Sequence, residues 1–163
     1  MNKSMAEFLK AREKQGFATG RGTEIHRQLQ FLKLDSEYGG AGLTQTGKKS
    51  DLGTRSPHLQ EKIRENLKLA QFWGTDTRPE VPIAGYLNGK FVSRRIDRLK
   101  ITLEAVEFLD YKTDADKTIR RDKYAAQMKE YATLLRMAYP NRTIRGYILW
   151  THDWELEKII KSD

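Results

Sequence analysis

The stretch VPIAGYLNGKFVSRRIDRLKITLEAVEFLDYKT, residues 81–113, decides how this chain is read. It holds the short apolar runs VPIAGYL, FVSRRIDRLKI and LEAVEFLDYKT, separated by Asn88-Gly89 and by a turn around Thr102. Asn-Gly suits a type I′ turn, in which both central residues need positive φ, so the first two runs form a hairpin. Three antiparallel strands are expected, with the change of texture near Glu80.

Working outward from it, GTEIHRQLQFLKLDS (22–36) sets Ile25, Leu29, Leu32 and Leu34 at mostly helical spacing, with Thr23 as N-terminal cap. Ser56 and Pro57 open a second helix through Ile63, Leu67, Leu69 and Phe72, ending near Trp73 and Gly74, since serine caps and proline fits the first turn. Between the two, residues 38–55 are rich in glycine, serine, threonine and lysine and read as a flexible surface loop. Downstream, a long helix from about Arg120 to Tyr139 breaks at Pro140-Asn141, and TIRGYILW supplies a further strand. The predicted order is helix, helix, three strands, helix, strand. This is an α/β chain with a central mixed sheet flanked by helices, expected to form a single domain over 1–163.

Lysine and arginine outnumber aspartate and glutamate by 30 to 22, a net charge of +8, which suits a polyanionic partner. The chain has no cysteine, which removes disulfides, zinc ribbons, iron–sulfur clusters and thiol nucleophiles, so any metal must be held by oxygen or imidazole. The first residues carry no signal-like apolar run and no stretch approaches the ~20 apolar residues of a membrane span, so a soluble cytoplasmic protein is expected. Gly42, Gly47 and Lys48 have the spacing of a phosphate-binding loop, but Lys49 stands where serine or threonine belongs and no buried strand leads in. That match is read as chance.

The chemistry lies where acids interrupt apolar strands, at Ile96-Asp97-Arg98-Leu99 and Phe108-Leu109-Asp110-Tyr111-Lys112. Burying an unpaired carboxylate costs several kcal/mol, whereas a divalent cation turns two neighbouring carboxylates into ligands. Asp110 and Lys112 are two apart and share a strand face, and pairing through the turn near Thr102 brings Asp97 beside Asp110. Two carboxylates and a lysine suit metal-assisted phosphodiester hydrolysis, with Lys112 orienting the water or stabilising the pentavalent phosphate. Mg2+ is the expected ion, with Mn2+ able to substitute.

At these residues the sequence resembles the PD-(D/E)XK nuclease superfamily, with Asp97 and Asp110 as its acids and Lys112 as its lysine. The GTEIH opening, EVPI, VSRRIDRL, FLDYKT, the Gln127 and Tyr131 pair in AAQMKEYA, and YPNRTIRGYILWT together look like the RecB/AddA nuclease branch, over about Gly22 to Thr151. The resemblance implies a restriction-endonuclease-like core. It also implies metal binding by His26, Asp97, Asp110 and the Tyr111 backbone carbonyl, with Glu80 as a further candidate, and support of the site and DNA by Gln127 and Tyr131. Taken singly, His26 reads as a helix-surface histidine and Asp110–Lys112 as a strand-end ion pair; the ordered set alters that reading.

One departure is Ser93-Arg94-Arg95-Ile96, where the family often has a glycine before the hydrophobic-Asp step; Arg94 or Arg95 is then a candidate phosphate contact. Arg120, Arg121 and Lys123, with Lys117, form a basic run beside the proposed site and are candidate DNA contacts. The expected function is therefore metal-dependent DNA cleavage in repair or recombination, of RecB/AddA exonuclease type, with single-stranded ends as substrate and a helicase subunit or domain as partner. The rivals are a catalytically silent or partner-dependent DNA-binding module, and a nuclease acting on RNA.

Overall fold

The computed structural model describes residues 24–32, 34 and 56–161. The expected Thr23 cap, the 38–55 loop and Gly42, Gly47 and Lys48 lie outside the described residues. The elements in order are α1 (24–31), α2 (Pro57–Arg64), α3 (Leu67–Ala70), a 3-10 turn (Gln71–Trp73), β1 (Thr77–Leu87), β2 (Lys90–Ile101), β3 (Ala105–Lys112), α4 (Arg121–Ala138), β4 (Thr143–Trp150) and β5 (Glu155–Ile160). The five strands form one mixed sheet in the order β1-β2-β3-β4-β5. β3 and β4 run parallel and the other neighbours antiparallel. This is an α/β architecture compatible with a restriction-endonuclease-like core.

β3 lies at the centre of the sheet, and every residue from Ala105 to Tyr111 is buried. A strand covered on both faces reads as a nearly continuous apolar run, which is what AVEFL supplies. Its Val106 and Phe108 pack with Tyr124, Met128, Tyr131 and Leu135 of α4. Leu109 and Tyr111 pack on the other face with Leu29, Ile63, Leu69 and Phe72 of the first helices. The parallel β3–β4 pair needs a crossover, and α4 supplies it. The hairpin turn is as read: Asn88 and Gly89 both have positive φ, 50° and 76°.

Two expectations are corrected. The helix read from Ser56 to Trp73 is interrupted at Asn66, whose side chain accepts from Lys68 N (3.1 Å) and Leu69 N (3.2 Å) and so starts a new helix after Arg64. Ser56 occupies the expected cap position, yet its side chain makes no cap bond and donates to Gln28 Oε1 at 3.5 Å. A fifth strand, β5, extends the sheet beyond the predicted four. Its sequence ELEKII carries charges among its apolar residues, as an edge strand does, and this blurs the alternation. Among the described residues no helix is long and apolar enough to cross a membrane.

The helices of the first layer are tied to the sheet by Arg98 of β2, a buried guanidinium that is 4% exposed. It donates to Leu29 O (2.8 Å) and Gln30 O (3.4 Å) in α1, to Phe72 O (3.2 Å) in the 3-10 turn and to Tyr111 Oη (3.1 Å) on β3. Its carbon stands 4.5 Å from the centre of the Trp73 ring. The last carbonyls of a helix lack intrahelical partners and carry partial negative charge, so they suit a buried cation.

Arg98→Met should therefore lower the unfolding free energy by about 3 kcal/mol in urea titrations, because it leaves these carbonyls without a donor. Hydrogen exchange in residues 24–31 should accelerate more than in β3. A loss below about 1 kcal/mol would mean that water satisfies these carbonyls unaided.

Candidate active site

β2 and β3 pair from Ile101↔Val106 to Arg98↔Leu109 and no further. Beyond that point a carboxylate takes over from backbone: Tyr111 N donates to Asp97 Oδ2 at 2.7 Å. This bond holds Asp97 against the residue that follows Asp110, near enough for the Asp110 charge to act on it. Strand alternation slips at the same place, for Ile96 and Leu99 are three apart and both enter the core beneath α4. Glu80, between the pairs Pro79↔Arg98 and Val81↔Ile96, has φ of +53°. Such a backbone conformation in a non-glycine residue stores strain and is found where surrounding structure imposes it.

Asp110 is 3% exposed. Its Oδ2 is in an ion pair with Lys112 Nζ and accepts no other hydrogen bond among the described residues. Lys112 Nζ is otherwise held by Gln127 Oε1 at 3.1 Å and lies 4.4 Å from the centre of the Tyr124 ring. Gln127 Nε2 reaches Asp110 Oδ1 at 3.4 Å and Tyr131 Oη at 2.6 Å, and Tyr131 Oη donates to Arg95 O at 3.2 Å. Tyr124, Gln127 and Tyr131 follow one another at three and four residues on α4, so they share one face. That face also sets the Tyr124 ring beside Lys112.

Burial, then the neighbouring Asp110 charge, raises the Asp97 carboxyl from its ordinary 3.8 to about 7. Burial and then Asp110 likewise push the Tyr131 hydroxyl up to about 12, so it remains a donor. His26 is on α1, and its Nε2 lies 3.1 Å from Tyr111 O. As a hydrogen bond, that contact has Nε2–H donating to the carbonyl. Burial lowers the His26 pKa, which favours the neutral imidazole a metal needs. Glu80 lies at the rim, bound to Arg95 Nε at 2.6 Å.

Among the described residues no three His, Cys, Asp or Glu side chains converge as a metal-binding group. The fit to a cation rests instead on the two carboxylates Asp97 and Asp110 with the Tyr111 carbonyl, against which His26 stands. Oxygen donors of this kind suit Mg2+. Asp110 Oδ2 is buried against the Lys112 ammonium and accepts no further donor among the described residues, so a carboxylate lone pair is left for a cation. Ligation through His26 Nε2 would move its hydrogen to Nδ1.

The candidate DNA-contacting cations are mostly engaged. Arg94 pairs with Glu130 (2.9 Å), Arg95 with Glu80, Arg120 with Asp114 (3.7 Å) and Arg121 with Glu157. Arg120 lies near the site through Asp114, which accepts from Tyr124 Oη, whereas Arg121 turns to β5. Lys117 also joins β5, through Glu155, and the preceding Asp153. Lys123 is exposed and has no ion pair among the described residues. Exposed pairs contribute about 0–1 kcal/mol, so phosphates can displace them.

The fold and site define a mixed-sheet α/β protein with two carboxylates and a lysine at a break in strand pairing. No family model matches the chain, and no curated protein matches it.

A carboxyl whose folded pKa exceeds its unfolded value takes up a proton on folding. Its stabilisation is present below about pH 4 and is lost as pH rises through about 7. Without metal, the unfolding free energy of the native chain should thus fall between about pH 5 and pH 8. Asp97→Asn should flatten that slope, and carboxyl NMR should follow the titration directly. An unchanged slope would mean that Asp97 ionises normally.

Proposed function

We propose that this protein is a metal-dependent nuclease that hydrolyses DNA phosphodiester bonds, of the PD-(D/E)XK kind and acting on single-stranded ends in repair or recombination. The observation that carries the reading is Asp110. Its buried carboxylate lies near Asp97, which binds the N–H of the next residue, Tyr111, and it is paired with Lys112. Two acids and a lysine brought together in this way suit a phosphate-cleaving centre better than a structural ion pair.

Asp97, Asp110 and the Tyr111 carbonyl would hold Mg2+ or Mn2+, with His26 beside them. When bound, the ion supplies a water of lowered pKa and offsets charge on the scissile phosphate. Lys112, beside Asp110 and held by Gln127, would orient the water or stabilise the phosphate oxygens. Gln127 holds the Lys112 ammonium and Asp110 Oδ1 in place, and Tyr131 holds Gln127, so both are positioning residues. Arg95, Arg120 and Lys123 give the surroundings positive charge toward the DNA backbone, and affinity should fall steeply with salt. A helicase subunit or domain would supply targeting.

A second reading, a nuclease-like module that binds DNA without cutting it, draws on the lack of a three-side-chain metal group among the described residues. Metal binding separates the two. For the nuclease, Mg2+ or Mn2+ at a hundred times its Kd should stabilise the fold by about 2.7 kcal/mol, visible as a rise in Tm. Asp110→Ala should abolish that rise.

End-labelled single- and double-stranded DNA and RNA should be incubated with the protein and either ion. We expect metal-dependent cutting of DNA, reduced roughly 100-fold or more by Asp110→Ala and by Lys112→Ala. Gln127→Ala should lower kcat less than Lys112→Ala. Metal binding without cutting supports the silent module, and neither metal binding nor cutting overturns the catalytic reading.

A further inference from the structure

We propose that the open face of the β1–β2 hairpin is a stacking platform for single-stranded DNA, with Tyr86 and Phe91 as its base-stacking residues. The inference rests on the nuclease reading and deepens it by naming where the strand lies outside the site. The hairpin pairs on from Val81↔Ile96 to Leu87↔Lys90, past the end of β2–β3 pairing. One face of this projecting part packs on the core beneath α4 through Val81 and Ile83. Gly85 allows the close approach, since a Cβ there would stand 2.8 Å from Leu134 Cδ2.

The other face is open. Pro82↔Arg95, Ala84↔Ser93 and Tyr86↔Phe91 are cross-strand pairs, and all these residues are exposed. Tyr86 is 66% and Phe91 64% exposed, with ring centres 5.6 Å apart edge to face. A cross-strand aromatic pair contributes about 0.2–1 kcal/mol to a hairpin, which is the purely structural account of it. Three further features favour DNA.

First, the row leads to the site. Phe91, Ser93 and Arg95 are two apart in succession, with Tyr86, Ala84 and Pro82 as their cross-strand partners, and the row ends where Arg95 pairs with Glu80 at the break beside Asp97. From Phe91 to Asp97 the strand spans about 20 Å, room for about six nucleotides at the stacked spacing of one strand. Second, residues 81–96 include Lys90, Arg94 and Arg95 and no acid, so the ribbon complements a polyanion. Third, Ala84 and Ser93 are small and leave a step between the rings and the Arg95 guanidinium, whose side chain is 71% exposed. Aromatic rings flanked by cations form the usual sequence-tolerant surface for unpaired bases, whose faces a duplex hides.

The test uses the whole chain in EDTA, so that binding is read without cutting. Fluorescence anisotropy measures affinity for labelled oligo-dT of about 12 nucleotides and for duplex of equal length. The Tyr86→Leu/Phe91→Leu double variant keeps an apolar cross-strand contact but removes the rings. It should bind the single strand about 10- to 100-fold more weakly, with duplex affinity and Tm nearly unchanged. Independently of any variant, irradiating the wild-type protein with a bromodeoxyuridine oligonucleotide should yield mass-spectrometric adducts at Tyr86 or Phe91. Unaltered single-strand affinity in the double variant, with adducts elsewhere, overturns the platform and leaves the nuclease standing. Concentration-dependent self-association lost in that variant, with DNA affinity intact, overturns it in favour of a protein contact. Wild-type protein that neither binds nor cuts DNA overturns both readings.

Discussion

Arg98 is the constraint on which the rest of the arrangement depends, because a guanidinium cannot be left in an apolar layer without acceptors. Its acceptors are the carbonyls of Leu29, Gln30 and Phe72 and the Tyr111 hydroxyl. Those partners belong to α1, the 3-10 turn and β3, so one side chain registers the first helical layer on the central strand. Trp73 completes the link by lying against both Arg98 and the Tyr111 ring and by donating to Leu29 O. His26 lies on the same helix as Leu29. Its position against the Tyr111 carbonyl is a consequence of that anchoring.

The second organising feature is the break beside Asp97. Ordinary pairing would bury a row of backbone groups and point side chains alternately to two covered faces. Here the β2–β3 ladder stops and Asp97 accepts the Tyr111 N–H. Glu80 takes up left-handed φ on the neighbouring strand, and the hairpin beyond changes which side chains it turns to α4. The irregularity brings two carboxylates together where a regular sheet would offer only apolar residues. Burial, and then repulsion from Asp110, explain the raised Asp97 pKa, and the same pressure makes a cation a natural partner.

Much of this was legible in the residues. The hairpin at Asn88-Gly89, the apolar β3 run and the α4 pattern specified their elements locally, through turn sterics and periodicity. The nearness of Asp97 to Asp110, and the shared face of Gln127 and Tyr131, followed from strand and helix periods. Less legible was the stop at Asn66, since its cap depends on one side chain overriding a continuous apolar pattern. β5 was hidden because an edge strand needs little apolar surface. Arg98 escaped notice because a charged residue in a strand ordinarily faces water.

The sequence by itself determined the hairpin, the β3 run, α4 and β4, and the acids and lysine that gather beside them. Local geometry and the separation of apolar from polar residues suffice for these. Only the tertiary structure decided that Arg98 would be buried among helix-end carbonyls, that Lys112 would lie between Asp110, Gln127 and the Tyr124 ring, and that Tyr86 and Phe91 would stand in the open. Each of these depends on which distant element fills the space around a side chain, and no local pattern carries that information.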